Sequence, residues 1–171
     1  MDNRTFMAWA LEAERRWELI GGIPVCMESE SRLHSRTART IANLLNERLA
    51  DRPCTPDQRL DVVCGKGEVR NPDALIDSDP RAETIDHSYA YSPIAVFEVA
   101  VTSQSYDLGG KHLTYFANSH VRHYVVILPL ERAAVHIERD RPPLRLLPSD
   151  RLTFDPDPGL TLEIDALLGP S

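Results

Sequence analysis

The chain has 171 residues, 42% of them hydrophobic, and a net charge of −7, which suits a single globular domain over residues 1–171 that buries roughly two-thirds of the surface its unfolded chain exposes. No apolar run approaches the ~20 residues that cross a bilayer, the first twenty residues are too charged for a signal-peptide core, and three cysteines with no CxxC pair suit neither a disulfide framework nor a thiolate zinc site; a cytoplasmic location is expected. The acidic balance argues against a broad basic surface for gripping nucleic acid, but leaves room for a local one.

TFMAWALEAE near the start predicts a short helix capped by Thr5, with Phe6, Ala10 and Ala13 at helical spacing. WELIGGIPVCM then reads as a hairpin turning at Gly21-Gly22, a pair that tolerates positive φ. Residues 31–50 form the longest helical segment. Its apolar stripe is Ala38, Ile41, Leu45 and Leu49, while Arg32, Arg36 and Arg39 make a separate basic ridge, and Pro53 and Pro56 end it. RLDVVC, DALI, PIAVFEVAV, HYVVILPL and AAVHIER read as strands, with one helical segment over 108–118. The tail from Pro142, rich in Pro and Asp, reads as edge strands and turns. This order implies a mixed sheet flanked by helices, α/β or α+β in class.

Glu98 is the first candidate for chemistry. It lies in a run that reads as a strand covered on both faces, sharing a face with Ile94, Val96 and Ala100. There an unpaired carboxylate costs several kcal/mol or gives up its charge. Asp73, after Pro72, opens a neighbouring strand, and Lys111 follows in the next helical segment. Two acids and a lysine so placed are the parts of a metal-dependent phosphodiesterase. Hard Mg²⁺ or Mn²⁺ takes carboxylate oxygens and keeps several waters, one of which becomes nucleophilic near neutral pH.

Each residue also has an ordinary reading. Glu98 fits a buried structural ion pair, Asp73 a Pro-Asp turn, and Lys111 a helix-surface pair with Asp107 four residues earlier. Tyr115 lies on the same face as Lys111, where packing alone explains it. His34 opens the long helix on its inward stripe, and Glu18 alternates with apolar neighbours on the first strand. Arg32, Arg36 and Arg39 suit either phosphate contact or a solvated face. His87, His112, His120, His123 and His136 show no metal-ligand spacing beyond a loose set at 112–123, which reads as coincidence.

RNPDALI, IAVFEVAVTSQSYDLGGKHLTYF and VRHYVVI, preceded by WELIGGIPVCMESESRLHSRTARTIANLL, resemble the Uma-two family of restriction endonucleases, a branch of the PD-(D/E)xK nuclease superfamily. The resemblance runs from about Trp17 to the LTLEIDALL tail. It implies a restriction-endonuclease-like core in which Asp73 and Glu98 are the motif acids and hold Mg²⁺ or Mn²⁺. Where the superfamily expects a lysine two residues after the second acid, this chain has Ala100; the resemblance implies that Lys111 serves instead. Glu18 and His34 match positions facing the same cleft, in a second tier. Gly21 replaces a common acid, Gly110 weakens the start of the lysine helix, and NSHVRHY replaces a glycine-containing turn. The implied activity is hydrolysis of nucleic acid, DNA above all, by a homodimer with one site per strand. Two alternatives remain open: a non-catalytic binding module on a nuclease-like scaffold, and a phosphodiesterase for a small phosphorylated molecule.

Overall fold

The computed structural model describes residues 1–27, 29–82, 89–155 and 157–169. In chain order it begins with α1 (Asn3–Ala10), the hairpin β1 (Trp17–Ile20) and β2 (Ile23–Cys26), and the long helix α2 (Arg32–Leu49). Strands β3 (Thr55–Asp57), β4 (Val62–Gly65), β5 (Glu68–Arg70), β6 (Ala74–Asp77) and β7 (Pro93–Val99) follow. Two short helices, α3 (Gln104–Leu108) and α4 (Lys111–Phe116), lead to β8 (His123–Leu128), β9 (Ala133–Glu138) and β10 (Leu144–Leu146). The chain closes with β11 (Arg151–Phe154), β12 (Leu160–Glu163) and α5 (Ile164–Leu168).

Every residue of β7 is buried, as a run apolar except for Glu98 requires of a central strand. It lies inside a six-stranded sheet ordered β10-β9-β8-β7-β6-β3, in which only β7 and β8 run parallel. A second, antiparallel sheet is ordered β2-β1-β5-β4, and among the described residues β11 pairs with β12 alone. The architecture is mixed α+β about a central mixed sheet.

Strand side chains alternate between faces, so the large sheet has two apolar sides. On one, Ala74, Ile76, Phe97, Val99, Val125 and Ile127 pack against the stripe Ala38, Ile41, Leu45 and Leu49 of α2 and against α5 and the β11–β12 hairpin. On the other, Leu75, Val96, Ala100, Tyr124 and Val126 pack against Tyr115 of α4 and Val62 and Cys64 of β4. Ile94, expected beside Glu98, belongs to the α2 side instead. The β6–β7 register slips between Ile76 and Asp77, which pair with Ala95 and Pro93, and a slip of this kind re-aims the extra residue.

Several local expectations change. Asp2, not Thr5, caps α1: its carboxylate accepts from Thr5 N at 2.9 Å and Thr5 Oγ1 at 3.0 Å, and the helix ends at Ala10, short of Ala13. The single helix expected over 108–118 is two, split at Gly109-Gly110. Gly110 adopts φ 120°, and a Cβ on Gly109 would meet Ser105 O at 2.3 Å, so neither position accepts a side chain without strain. β3 and β5 arise from TPD and EVR, segments with too few apolar residues to signal a strand. In the tail, IDALL forms α5 rather than a further strand or turn.

Ser31 caps α2, its side chain accepting from His34 N at 3.1 Å. Ser31→Ala is therefore expected to lower stability by about 1 kcal/mol, measured by urea denaturation, and Ser31→Asp to retain it. Equal midpoints for Ser31→Ala and the wild type would show that the first turn of α2 does not depend on this cap.

Candidate metal and catalytic site

The antiparallel pairing of Ala74 with Phe97, continued by one residue, sets Asp73 opposite Glu98. The ladder reaches that point, since Asp73 N donates to Phe97 O at 3.1 Å. Each residue is only 5% exposed. Directly opposed residues have Cβ atoms about 4.5–5.5 Å apart, and like charges there destabilise the sheet unless other groups compensate them.

Glu98 is compensated from α4. Lys111 Nζ lies 2.9 Å from Glu98 Oε1, and Tyr115 OH donates to the same oxygen at 2.6 Å. Lys111 and Tyr115 are four residues apart, one turn of the same helix face. Lys111 also reaches Asp107 Oδ1 at 3.3 Å, and its Nζ sits 5.4 Å from the centre of the exposed Tyr106 ring. Asp107 is itself buried, hydrogen-bonded by Ser103 Oγ at 2.5 Å. The helix-surface pair that Asp107 and Lys111 offered in the sequence thus lies in the interior.

Burial pushes the Glu98 carboxyl up to about 8. Lys111 and the Tyr115 hydrogen bond pull it down, while Asp73 and Asp107 push it further up. Burial works against charging Lys111, but Glu98, Glu18 and Asp107 outweigh it and hold its pKa above the ordinary value. Burial and the Glu98 charge raise the Tyr115 phenol, so it stays a hydrogen-bond donor.

Asp73 is compensated from the other side. Val99 N donates to its Oδ2 at 2.8 Å, and His34 Nε2 lies 3.1 Å from the same atom. Burial opposes protonation of His34, but the hydrogen bond and charge of Asp73, with Glu30 and Glu98, raise its pKa overall. His34 Nδ1 lies 3.3 Å from Glu30 Oε2 yet makes no hydrogen bond among the described residues. Glu30 is also held by Arg16 and, at 2.9 Å, by Arg59.

Glu30 was invisible in the sequence, since it precedes the Ser31 cap of α2 and lies outside the helical pattern. Glu18, buried beneath the site, is engaged by Arg70 at 3.4 Å and accepts from Asn71 N at 3.2 Å. Arg32, Arg36 and Arg39 are exposed on α2, and none pairs with an acid among the described residues.

His123 and His136 stack in the interior, Nδ1 to Nε2 at 3.1 Å, beside Phe154. Burial pushes His123 down to about 4 and lowers His136 too. Both are neutral core residues, and His112 packs against Phe116 and Tyr124. Neither these nor His120 joins a metal-ligand group among the described residues, and His87 lies outside them.

The donor set fits a hard divalent cation. Ligand atoms of Glu30, His34 and Asp73 lie within 4.8 Å of one another. His34 Nδ1 is buried without a hydrogen bond, and no donor among the described residues hydrogen-bonds Asp73 Oδ1 or Glu98 Oε2.

A family described as "Putative restriction endonuclease", Uma-two, matches residues 4–165. The chain belongs to this family. A crystal structure of a "putative nuclease" belonging to DUF820, from Anabaena variabilis ATCC 29413, superposes with a TM-score of 0.74 at 17% identity, covering 92% of each chain; at that identity the likeness establishes the fold. No curated protein matches the chain. Uma-two membership makes this a chain of nuclease type, in a restriction-endonuclease-like group that generally uses divalent metals.

The titration of Glu98 gives a pH prediction. Its ordinary value is 4.5 and its buried value about 8. Between them the folded protein keeps a proton that the unfolded chain releases. The stability this contributes is complete below about 4.5 and is lost as pH rises through about 8. His34 acts with the same sign, so comparison with Glu98→Gln isolates Glu98. In EDTA, the melting temperature of the wild type is expected to fall relative to Glu98→Gln from about pH 5 to about pH 8. A constant difference across that range would show that Glu98 does not titrate there.

Proposed function

We propose that this Uma-two chain hydrolyses phosphodiester bonds of nucleic acid, DNA in particular, with a divalent cation held by Asp73 and Glu98. The observation that carries the reading is the convergence of two acids from adjacent strands and one buried amine from a following helix. A cation at the pair would relieve the raised Glu98 carboxyl and occupy the oxygens that lack donors. His34 and Glu30 flank Asp73 as further donors. Bound Mg²⁺ or Mn²⁺ supplies Lewis acidity, making a water nucleophilic near neutral pH and offsetting charge on the phosphoryl group.

The remaining work falls to the chain's own side chains. Lys111, aimed by Glu98 and Asp107, orients the attacking water and offsets negative charge growing on the phosphate oxygens. Tyr115 fixes the Glu98 oxygen that Lys111 also touches. Glu18 holds Asn71 N, two residues before Asp73, and so steadies the turn that delivers it. The exposed ridge of Arg32, Arg36 and Arg39 supplies phosphate contacts beside His34. Cutting both strands of a duplex takes two such sites, hence a homodimer.

Plasmid nicking that requires Mg²⁺ or Mn²⁺ is expected. Asp73→Asn and Glu98→Gln are expected to abolish it together with the rise in melting temperature that the metal causes in the wild type. Lys111→Met should keep the metal-dependent rise but lose about 10²-fold or more in rate. A rise without nicking would select the binding-module or small-molecule reading; no rise would remove the metal site.

The arginine ridge makes a separate prediction. Replacing Arg32, Arg36 and Arg39 together by Ala should weaken DNA binding and lower the slope of log affinity against log salt by about 3, one per lost phosphate contact. An unchanged slope in a fluorescence-anisotropy titration would place DNA elsewhere.

A further inference from the structure

A cavity of about 340 Å³ opens between the end of α1, the loop after it and residues 59–61. That volume is at the lower end of the roughly 300–1,000 Å³ of small-molecule sites. Met7, Leu11, Trp17 and Leu60, with Ala10 and Ala13, form its apolar lining; Arg16, Arg59, Asp61 and Asn71 form most of the polar one, with Glu14 and Arg15 at the loop after α1. Trp17 is held edge-on by Trp9, 5.1 Å between ring centres.

A chain of contacts links the cavity to the acid pair. Asn71, on its wall, precedes Asp73 by two residues. Arg16 and Arg59 both grip Glu30, which stands 3.3 Å from His34, itself 3.1 Å from Asp73. A ligand resting against these arginines would therefore be in reach of the hydrolytic site.

Deep in the polar wall, Asn71 and Asp61 are tied together by hydrogen bonds. Asn71 Nδ2 donates to Arg59 O at 2.8 Å and to Asp61 Oδ1 at 2.7 Å, and its carbonyl accepts from Arg16 Nε at 3.0 Å. No donor among the described residues hydrogen-bonds Asp61 Oδ2. Burial pushes the Asp61 carboxyl up to about 6, against the pull of its bond from Asn71. The Asp61 backbone is fixed, its carbonyl accepting from Ala90 N at 2.8 Å. A fixed acceptor short of one donor, an indole wall and two guanidinium groups together match a planar ring with an N–H edge and an attached phosphate.

We propose that this cavity receives the base of a nucleotide beside the scissile phosphate and prefers a base with an exocyclic amine, guanine foremost, to thymine. Asp61 accepts from the N–H edge of the base, the Met7–Leu11–Trp17 lining covers its ring, and Arg16 and Arg59 face its phosphate. Guanine offers its ring N–H to the open Oδ2 and its adjacent exocyclic amine to Oδ1, a carboxylate oxygen that can accept a second hydrogen bond beside that from Asn71, whereas thymine flanks its one N–H with carbonyl oxygens that repel it. Enzymes that read a single unstacked base commonly combine such edge contacts with an apolar or aromatic cover.

The inference rests on the nucleic-acid reading of the neighbouring site, but its test needs no cleavage. The probes are dGMP and dTMP, titrated calorimetrically in EDTA into the full chain. Wild type is expected to bind dGMP about tenfold or more tightly than dTMP, and Asp61→Asn to lose about that factor for dGMP. Ala13→Phe, which adds bulk at a loop position on the cavity wall, should abolish binding of both. Arg151→Ala, exposed on β11 and outside the cavity lining, should bind dGMP as the wild type does. Absent dGMP binding, equal affinity for the two nucleotides, or unchanged affinity in Asp61→Asn overturns the proposal. If dGMP binds as expected but no plasmid is nicked, the base site stands without the nuclease; nicking without dGMP binding leaves the reverse.

Discussion

The interior of this protein is arranged around two carboxylates on neighbouring strands of a buried sheet, facing each other where like charges repel. Sheets seldom accept such a pair, because the strand neighbours that would separate the charges are apolar here. Relief comes from three directions at once. A backbone N–H and His34 attend Asp73, Lys111 and Tyr115 attend one oxygen of Glu98, and one oxygen of each acid is left with no donor among the described residues. One amine serving Glu98 and Asp107 together leaves the cluster short of positive charge. A fold can keep that deficit only if the native environment of the protein supplies a cation or the interior holds a proton. Burial raises the Glu98 carboxyl in the direction of the second alternative.

That constraint explains the disposition of the helices. α2 packs along one side of the sheet, and its capped first turn carries His34 to Asp73. α4 packs on the opposite side and carries Lys111 and Tyr115 to Glu98. The smaller sheet contributes indirectly: Glu18 on β1 takes Arg70 and the Asn71 N–H, tying the strand that precedes Asp73 to the first hairpin. Glu18, which the family resemblance sets in a second tier facing the cleft, holds backbone through these partners while its charge also acts on Lys111 and Tyr115. The apolar clusters on both faces of β7 supply the burial that makes each of these contacts strong, since charge interactions gain as water is excluded.

The parts of this arrangement legible in the sequence were those written in long periodic runs. The stripe of α2, the hairpin at Gly21-Gly22 and the buried run of β7 all follow from spacing alone. The acid pair was legible only as two acids at strand positions, because their opposition depends on a register that the sequence does not contain. β3 and β5 were missed because three-residue strands take their stability from the neighbours they pair with, not from their own composition. The split between α3 and α4 was written in Gly109-Gly110, but its reason, a backbone carbonyl 2.3 Å from where a Cβ would stand, is a tertiary fact. Glu30 was hidden for a similar reason. It lies before the helix cap, outside any periodic pattern, and only folding brings Arg16, Arg59 and His34 to it.

The displaced lysine shows what is required of the site and what is not. Ala100, two residues after Glu98, shares its face and is buried against the α4 side of the sheet. A lysine there would start from backbone fixed in the core, its amine limited by the path of the strand. Lys111 instead starts at the first position of a short helix, beside a glycine at φ 120°. Its stem crosses buried space, with Asp107 and Glu98 both within 3.3 Å of its Nζ. The electrostatics ask only for a positive charge at one point between two acids, and are indifferent to which segment delivers it. Delivery from α4 brings a consequence that delivery from the strand would not. Because Lys111 and Tyr115 ride on the same helical turn, anything that shifts α4 moves both partners of Glu98 together, so the charge balance of the acid pair is tied to the docking of a six-residue helix.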